Sequence, residues 1–382
     1  MWQLKYSYDG VELGDLFPIT QTGFTGKISR NGVGEITFQV SLRKLREFCV
    51  SQDFDIKSMF TPIKSSIVAV QKTGATTSGD SMGGWLSKTP SFNFGSSADA
   101  TVTFTFTGWL GLTAGAYLIP PLTYNDNFND VAEEQITLVL ERTFLEGAMW
   151  PLTIGTSDVL PVVSDTLDAP KTLKDFLLER ADNTTGTGTF DVYVDPHGVI
   201  SLHEKYGVDL SDTVTFSYPD MGGKYDVKEI SFPEWDNYVS DMFLTGAGNG
   251  YATTSGAEGA AIFAEAQNAA TIANTGYWQH ASSESDITEQ TTLDDKATAY
   301  VRDTDKPFAV PTLKIDGDRF LLYDHDQGGD LWLGDTIAVD ALAWVEPLLP
   351  LDLPIDLRIN SLDIAVDKMF HCDLSLGMVA DV

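Results

Sequence analysis

Strict alternation of apolar and polar positions marks both ends of this chain. Near the start, Trp2, Leu4, Tyr6 and Tyr8 alternate and stop at Asp9-Gly10, a turn dipeptide, which predicts a half-buried strand. Ile36, Phe38, Val40 and Leu42 repeat the pattern, Arg43 to Ser51 reads as a short helix, and Ile67 to Lys72 as another strand. A loop rich in Gly, Ser and Thr (Thr73 to Gly84) precedes a strand from Trp85 to Phe94. Val102, Phe104 and Phe106 then alternate with threonines. At the other end, strands are predicted at Val310 to Ile315, Gly334 to Val339, Ile355 to Val366 and Phe370 to Leu376. Leu362, Ile364 and Val366 share a core face with Phe370, Cys372, Leu374 and Leu376, whereas Ile355, Leu357 and Ile359 hold the opposite parity. One extra residue, a bulge at Asn360-Ser361, keeps both sets inside, and bulges bend strands into barrels.

Between these ends the period changes. Asp130 and Glu133 have capping-box spacing ahead of Ile136, Leu140 and Phe144, and a second helix follows Pro170 with Leu173, Phe176, Leu177 and Ala181 on one face. Phe190, Val192 and Val194 run into Asp195-Pro196-His197-Gly198, a type I turn sequence. Val227 to Thr245 is β in character, Ala260 to Ala273 helical, and Gly276 to Thr292 a polar connector. A last helix starts at Thr291 with Asp294 three residues on, turns Leu293, Ala297, Tyr300 and Val301 inward, and ends at Lys306-Pro307.

The fold class expected is therefore β-rich α+β: two small β-barrel domains with inserted α+β and helical segments. The first barrel spans 1–125, completed by 226–248. An inserted α+β domain takes 126–225, and an Ala/Gly-rich, partly helical connector 249–290. The second barrel with a capping helix takes 291–382. No internal repeat shows at a fixed period.

Charge changes the picture more than composition does. Lys and Arg number 24 against 55 Asp and Glu, a net −31. Such a surface repels phosphate backbones and anionic headgroups, which argues against specific nucleic-acid binding and against membrane binding by this chain alone. Two cysteines, Cys49 and Cys372, are too few for a disulfide scaffold, and Cys372 reads as a buried small hydrophobe. No apolar run approaches the ~20 residues of a membrane span, and the N-terminus reads as a strand, not a signal peptide.

Candidate chemistry is sparse. Gly79-Asp80-Ser81-Met82-Gly83 matches G-x-S-x-G, but a nucleophile elbow needs a strand before it and a helix after it; a hairpin tip is the competing reading. Asp324, Asp326 and Asp330 form a partial calcium loop lacking its final glutamate, and the alternative is a solvated acidic turn. His197, His203, His280, His325 and His371 show no zinc spacing, and no CxxC or phosphate-binding glycine motif occurs. Trp85, Phe92 and Phe94 are either exposed anchors for a partner or glycan, or aromatics inside the first barrel. No catalytic residue and no cofactor are expected.

Taken in order, several stretches resemble the tail-hub, or tail-associated (Tal-like), proteins of long-tailed bacteriophages, related to the baseplate hubs of contractile-tailed phages. They are Gly34-Glu35-Ile36-Thr37-Phe38, Phe106-Thr107-Gly108-Trp109-Leu110-Gly111-Leu112 with Ile119-Pro120, and Ala297 to Val301 with Pro311-Thr312-Leu313 and Leu333 to Ile337. The resemblance implies two related barrels and a homotrimeric ring at the virion tail tip. That ring would be bound by the distal tail ring, tail tube and tape measure proteins and by host-binding tip proteins, with DNA only in passage. The peptidase or receptor-binding extension of some relatives is not expected, and a receptor- or glycan-binding module or a wall hydrolase are the competing functions.

Overall fold

The computed structural model describes residues 1–13, 23–73, 77–94, 100–144, 152–181, 190–218, 222–232, 239–247, 262–269, 272–273, 276–284, 287, 290–304, 311–341, 355–367 and 371–380. The first half contains β1 (Trp2–Tyr8), β2 (Val11–Glu12), β3 (Phe24–Ser29), β4 (Glu35–Ser41), α1 (Leu42–Ser51), β5 (Ser65–Thr73), β6 (Thr77–Leu86), β7 (Ser91–Asn93) and β8 (Thr101–Gly108). Alternation explains these strands: Trp2, Leu4 and Tyr6 are fully buried, as are Val102, Phe104 and Phe106. Where the period shifts at Leu42, α1 buries Leu45, Phe48 and Cys49 at helical spacing.

The Gly/Ser/Thr stretch read as a loop is instead β6 itself, and the strand expected from Trp85 to Phe94 is split into β6 and β7. Glycine suits this strand because other backbone comes close: a Cβ on Gly83 would lie 1.8 Å from the Pro196 carbonyl oxygen.

An inserted lobe follows, with β9 (Tyr117–Leu118), β10 (Leu122–Asn127), α2 (Phe128–Phe144), β11 (Thr153–Ile154), β12 (Val162–Leu167), β13 (Lys171–Thr172), α3 (Leu173–Ala181), β14 (Asp191–Val194) and β15 (Val199–His203). Its core joins Phe128, Ile136, Leu173, Phe176, Leu177 and Phe190. Helix α2 starts at Phe128, so Asp130 lies in its first turn instead of capping it, while the side chains of Leu140 and Phe144 lie outside the described residues. The predicted turn links β14 to β15: Gly198 has φ +88°, and Asp195 Oδ1 accepts from the amides of His197 (2.8 Å) and Val199 (2.7 Å).

The remainder holds β16 (Thr215–Tyr218), β17 (Val227–Ser231), β18 (Asp241–Thr245), β19 (Phe263–Gln267), β20 (Gln279–Ser283), α4 (Gln290–Thr304), β21 (Thr312–Asp316), β22 (Thr336–Ala341), β23 (Ile355–Val366) and β24 (Cys372–Ala380). The helix expected within Ala260 to Ala273 gives way to strand β19, because burial of Ala264 against α4 outweighs alanine's helical preference. The polar connector likewise contains strand β20. Leu293, Ala297 and Val301 point inward as predicted, but α4 packs on the β19-β18-β20 sheet as a separate cluster, not over the last strands. It begins at Gln290, and Asp294 Oδ1 accepts from Gln290 Nε2 (2.8 Å), so the expected capping box is not the device used. Lys306-Pro307 and Phe370 lie outside the described residues.

The bulge is where the parity change required it. In the β23–β24 ladder the register shifts between Ile359 and Ser361, and Leu357, Ile359, Leu362, Ile364 and Val366 are all buried.

Six strands of the first half run β1-β5-β6-β8-β4-β3, and six of the second run β16-β22-β23-β24-β21-β17. Numbered by chain order within its own half, each reads 1-4-5-6-3-2. Pairing sense agrees except at the 1–4 step, antiparallel for β1–β5 and parallel for β16–β22. The repeat is thus one of topology, not of sequence period. β17, expected to complete the first barrel, belongs to the second half through β21, and β16 pairs there too.

Two separate closed barrels were expected; the structure has one 14-stranded sheet over one shared core. The physical reason is that β3 gives its edge to β23, from Phe24 opposite Val366 to Ser29 opposite Ser361, rather than to β1. Among the described residues β1 and β3 share no ladder, though the rings of Trp2 and Phe24 meet at 5.7 Å. β16 meets the residue just before β17 at the isolated bridge Ser217–Asp226.

Candidate functional site

Where the inserted lobe sits on the sheet, a narrow cavity of about 70 Å³ is lined by Ser81, Met82, Trp109, Asp191, Tyr193 and Trp332 among others. Its walls come from the first half, the lobe and the second half, and charge holds them together. Asp191, 3% exposed at the start of β14, pairs with Arg358 of β23, itself 7% exposed. Arg358 also donates to the Tyr206 carbonyl and through Nε to the Gly334 carbonyl (2.9 Å), and Arg30 Nε lies 3.5 Å from the other Asp191 oxygen. The Trp109 indole donates to the Pro196 carbonyl (2.8 Å), and Asn31 pairs with the Phe190 carbonyl and the Val192 amide.

A second buried carboxylate organises the loop before β22. Asp335 is fully buried and accepts from the amides of Val208 (3.0 Å) and Trp332 (2.6 Å) and from His325 Nε2 (2.8 Å). His325 Nδ1 faces the Gly329 carbonyl (2.9 Å), so both ring nitrogens meet acceptors and the imidazolium is favoured. Its pKa is raised above 6.5, first by the Asp335 hydrogen bond, with burial opposing. Burial raises the Tyr206 phenol, which donates to Asp324 and stacks on Tyr193 at 4.0 Å.

At the cavity's rim His197 Nε2 lies 2.7 Å from Asp80 Oδ2. This bond raises the His197 pKa and lowers that of Asp80. Asp80 N also donates to Gln327 (3.2 Å), so β6, the β14–β15 turn and the loop before β22 meet at one point.

Ser81 is neither at a hairpin tip nor on an elbow: it is 1% exposed inside β6, at the register shift where Ala69 faces Met82 and Val70 faces Asp80. Among the described residues its Oγ has no hydrogen-bond partner, and so no base that would activate it as a nucleophile. Asp324, Asp326 and Asp330 are not brought together. Asp324 is taken by Tyr206 and the Asp326 amide, and Asp330 by the Leu321 amide (3.1 Å) and Lys224 (3.6 Å). Among the described residues, the one group with three metal-type ligand atoms in reach is Asp316, Asp318 and His371, the first half-buried and the other two exposed. Trp85 is half-buried against the core of the lobe, whereas Phe92 and Phe94 are 42% and 74% exposed and stack at 6.1 Å. Both cysteine thiols are buried, which pushes Cys49 up to about 11 and Cys372 up to about 12, so neither is a thiolate at neutral pH.

Arg30, Asp191 and Arg358 escaped sequence reading. The available signal was a lone arginine between inward-facing Leu357 and Ile359, which looks like an ordinary solvent-facing position until the lobe covers it.

No protein-family model and no curated protein sequence matches this chain. Solved structures do. The tail protein of Neisseria meningitidis aligns over 100% of this chain and 97% of its own, at 12% identity and a TM-score of 0.62. The 43 kDa tail protein of prophage MuSo2 from Shewanella oneidensis aligns over 99% and 98%, at 13% identity and 0.63. Prophage tail protein gp18 of Listeria monocytogenes aligns over 98% and 94%, at 13% and 0.56. Over its whole length the chain therefore has the fold of phage tail proteins, as its resemblance to tail-hub proteins implied.

Proposed function

We propose that this chain is a structural, non-enzymatic hub of a phage tail tip. The observation that carries the reading is the repeated six-strand order: one chain supplies two like halves, so three chains supply six and can meet a sixfold tube. Three copies form a ring that joins the tail tube to the host-contact apparatus and closes or lines the DNA exit channel. The distal tail ring and tape measure proteins are its neighbours on one side, the host-binding tip proteins on the other. A net charge of −31 supports a lumen that lets DNA slide without gripping its phosphates.

A receptor- or glycan-binding role through Trp85, Phe92 and Phe94 has less support, because Trp85 packs under the lobe. A hydrolase has less still, with Ser81 buried and unactivated. Light scattering tests the hub reading: a particle of three times the monomer mass is expected, and a monomer at every concentration up to the solubility limit, with no ring at the tip in images of the virion, overturns it.

A further inference from the structure

The chain carries an internal template for a contact between copies. Within each half the fifth and sixth positions form a hairpin, and the second position is an outer strand. In the second half the hairpin is β23–β24, and the far end of β23 adds antiparallel to β3, the outer strand of the first half. In the first half the fifth position is β6 continued by β7, which pairs with β8. Val102, Phe104 and Phe106 of β8 occupy the places of Cys372, Leu374 and Leu376 of β24, all buried. Phe92 faces Val102 as Val366 faces Cys372, so Phe92 stands where Val366 stands.

Val366 is 3% exposed because Phe24 of β3 lies across from it; Phe92 is 42% exposed and Phe94 beyond it 74%. The counterpart of β3 is β17. Its Val227 and Ile230 face Ile315 and Leu313 of β21, as Phe24 and Gly26 face Phe38 and Ile36 of β4. Among the described residues β16 comes against the other edge of β17 only at its start, through the Ser217–Asp226 bridge and the Ser217 amide donating to the Tyr225 carbonyl (3.0 Å). No strand among them forms a ladder there along Val227–Ser231, and Lys228, Glu229 and Ser231 are exposed.

We propose that β7 of one copy adds antiparallel to β17 of a second copy, repeating between chains the β23–β3 seam found within the chain. This rests on the ring reading above and names its interface. Phe92 comes opposite Val227 and Ser91 opposite Lys228. Two different edges join, so the contact is head-to-tail, the kind of contact a ring of three requires. It covers an aromatic-bearing edge that would otherwise invite nonspecific pairing. The strands also suit an acidic chain: β7 is uncharged, so the seam sets no carboxylates of the two copies against each other.

The test pairs mass measurement with cross-linking on the full chain. Phe92→Asp should raise the dissociation constant about 30-fold or more, as loss of an interface anchor does, with the thermal midpoint of the dilute monomer unchanged. Ser91→Cys with Lys228→Cys, treated with a short bismaleimide, should give covalent species of two and then three chains, while buried Cys49 and Cys372 stay unmodified. Wild type that is trimeric, with Phe92→Asp equally trimeric and no cross-link, overturns the seam and leaves the ring reading standing. Wild type that stays monomeric and yields no cross-link overturns both.

Discussion

Arg358 and Asp191 show how much one buried contact can carry. Neither is more than 7% exposed, and together with Arg30 they tie β23, β14 and the end of β3. Removing Arg358 leaves the buried Asp191 carboxylate with only the Tyr206 amide (2.8 Å) and the more distant Arg30 (3.5 Å), so Arg358→Ala should cost about 3 kcal/mol in urea denaturation. Replacing both, as Arg358→Met with Asp191→Leu, should cost markedly less, because the one charge that loses a partner is Arg30, whose side chain is a quarter exposed to water. His325 gives a pH signature. Its folded pKa lies above its ordinary 6.5, so its stabilisation is fully present below pH 6.5 and is lost as pH rises through the folded value. His197 acts in the same direction through Asp80. The denaturation midpoint should therefore fall on the alkaline side of pH 6.5, and His325→Gln should flatten that slope. Neither pair was legible in the sequence, because Asp335 and His325 meet only through a turn, and Asp80 and His197 lie 117 positions apart.

Elements were read well wherever one face is buried by the chain's own neighbours. The bulge at Asn360-Ser361 followed from parity alone, since Leu357 and Leu362 cannot share a core on an unbroken pleat. β6 was missed because its Gly and Ser positions carry no alternation; they are small where Pro196 and Tyr323 come close. β19 was missed because alanines favour helix until a helix packs over them. That packing is testable: Leu293 is fully buried in a cluster separate from the main core. Leu293→Ala should cost about 2–5 kcal/mol locally. Hydrogen exchange should then quicken in β18, β19 and α4 and stay unchanged in β4 and β8.

At the scale of the whole molecule, the proposed trimer must form against −31 charges on every copy. Screening shortens that repulsion to a reach of about 10 Å at 0.1 M salt, so trimer mass should persist to lower protein concentration as salt rises. Light scattering across a salt series checks it, and dissociation by added salt would show that attraction between charged patches holds the ring instead.

The strands with an alternating apolar face, the final hairpin's bulge, both lobe helices and the acidic character follow from the order of side chains, because periodicity and charge are local or additive properties. Which strands became neighbours did not follow. Pairing of β3 with β23 joins residues more than 300 positions apart, and that choice of edge made one continuous sheet out of two like halves. Edge choice depends on which backbone groups remain free once each half has curled, and only the folded chain decides that.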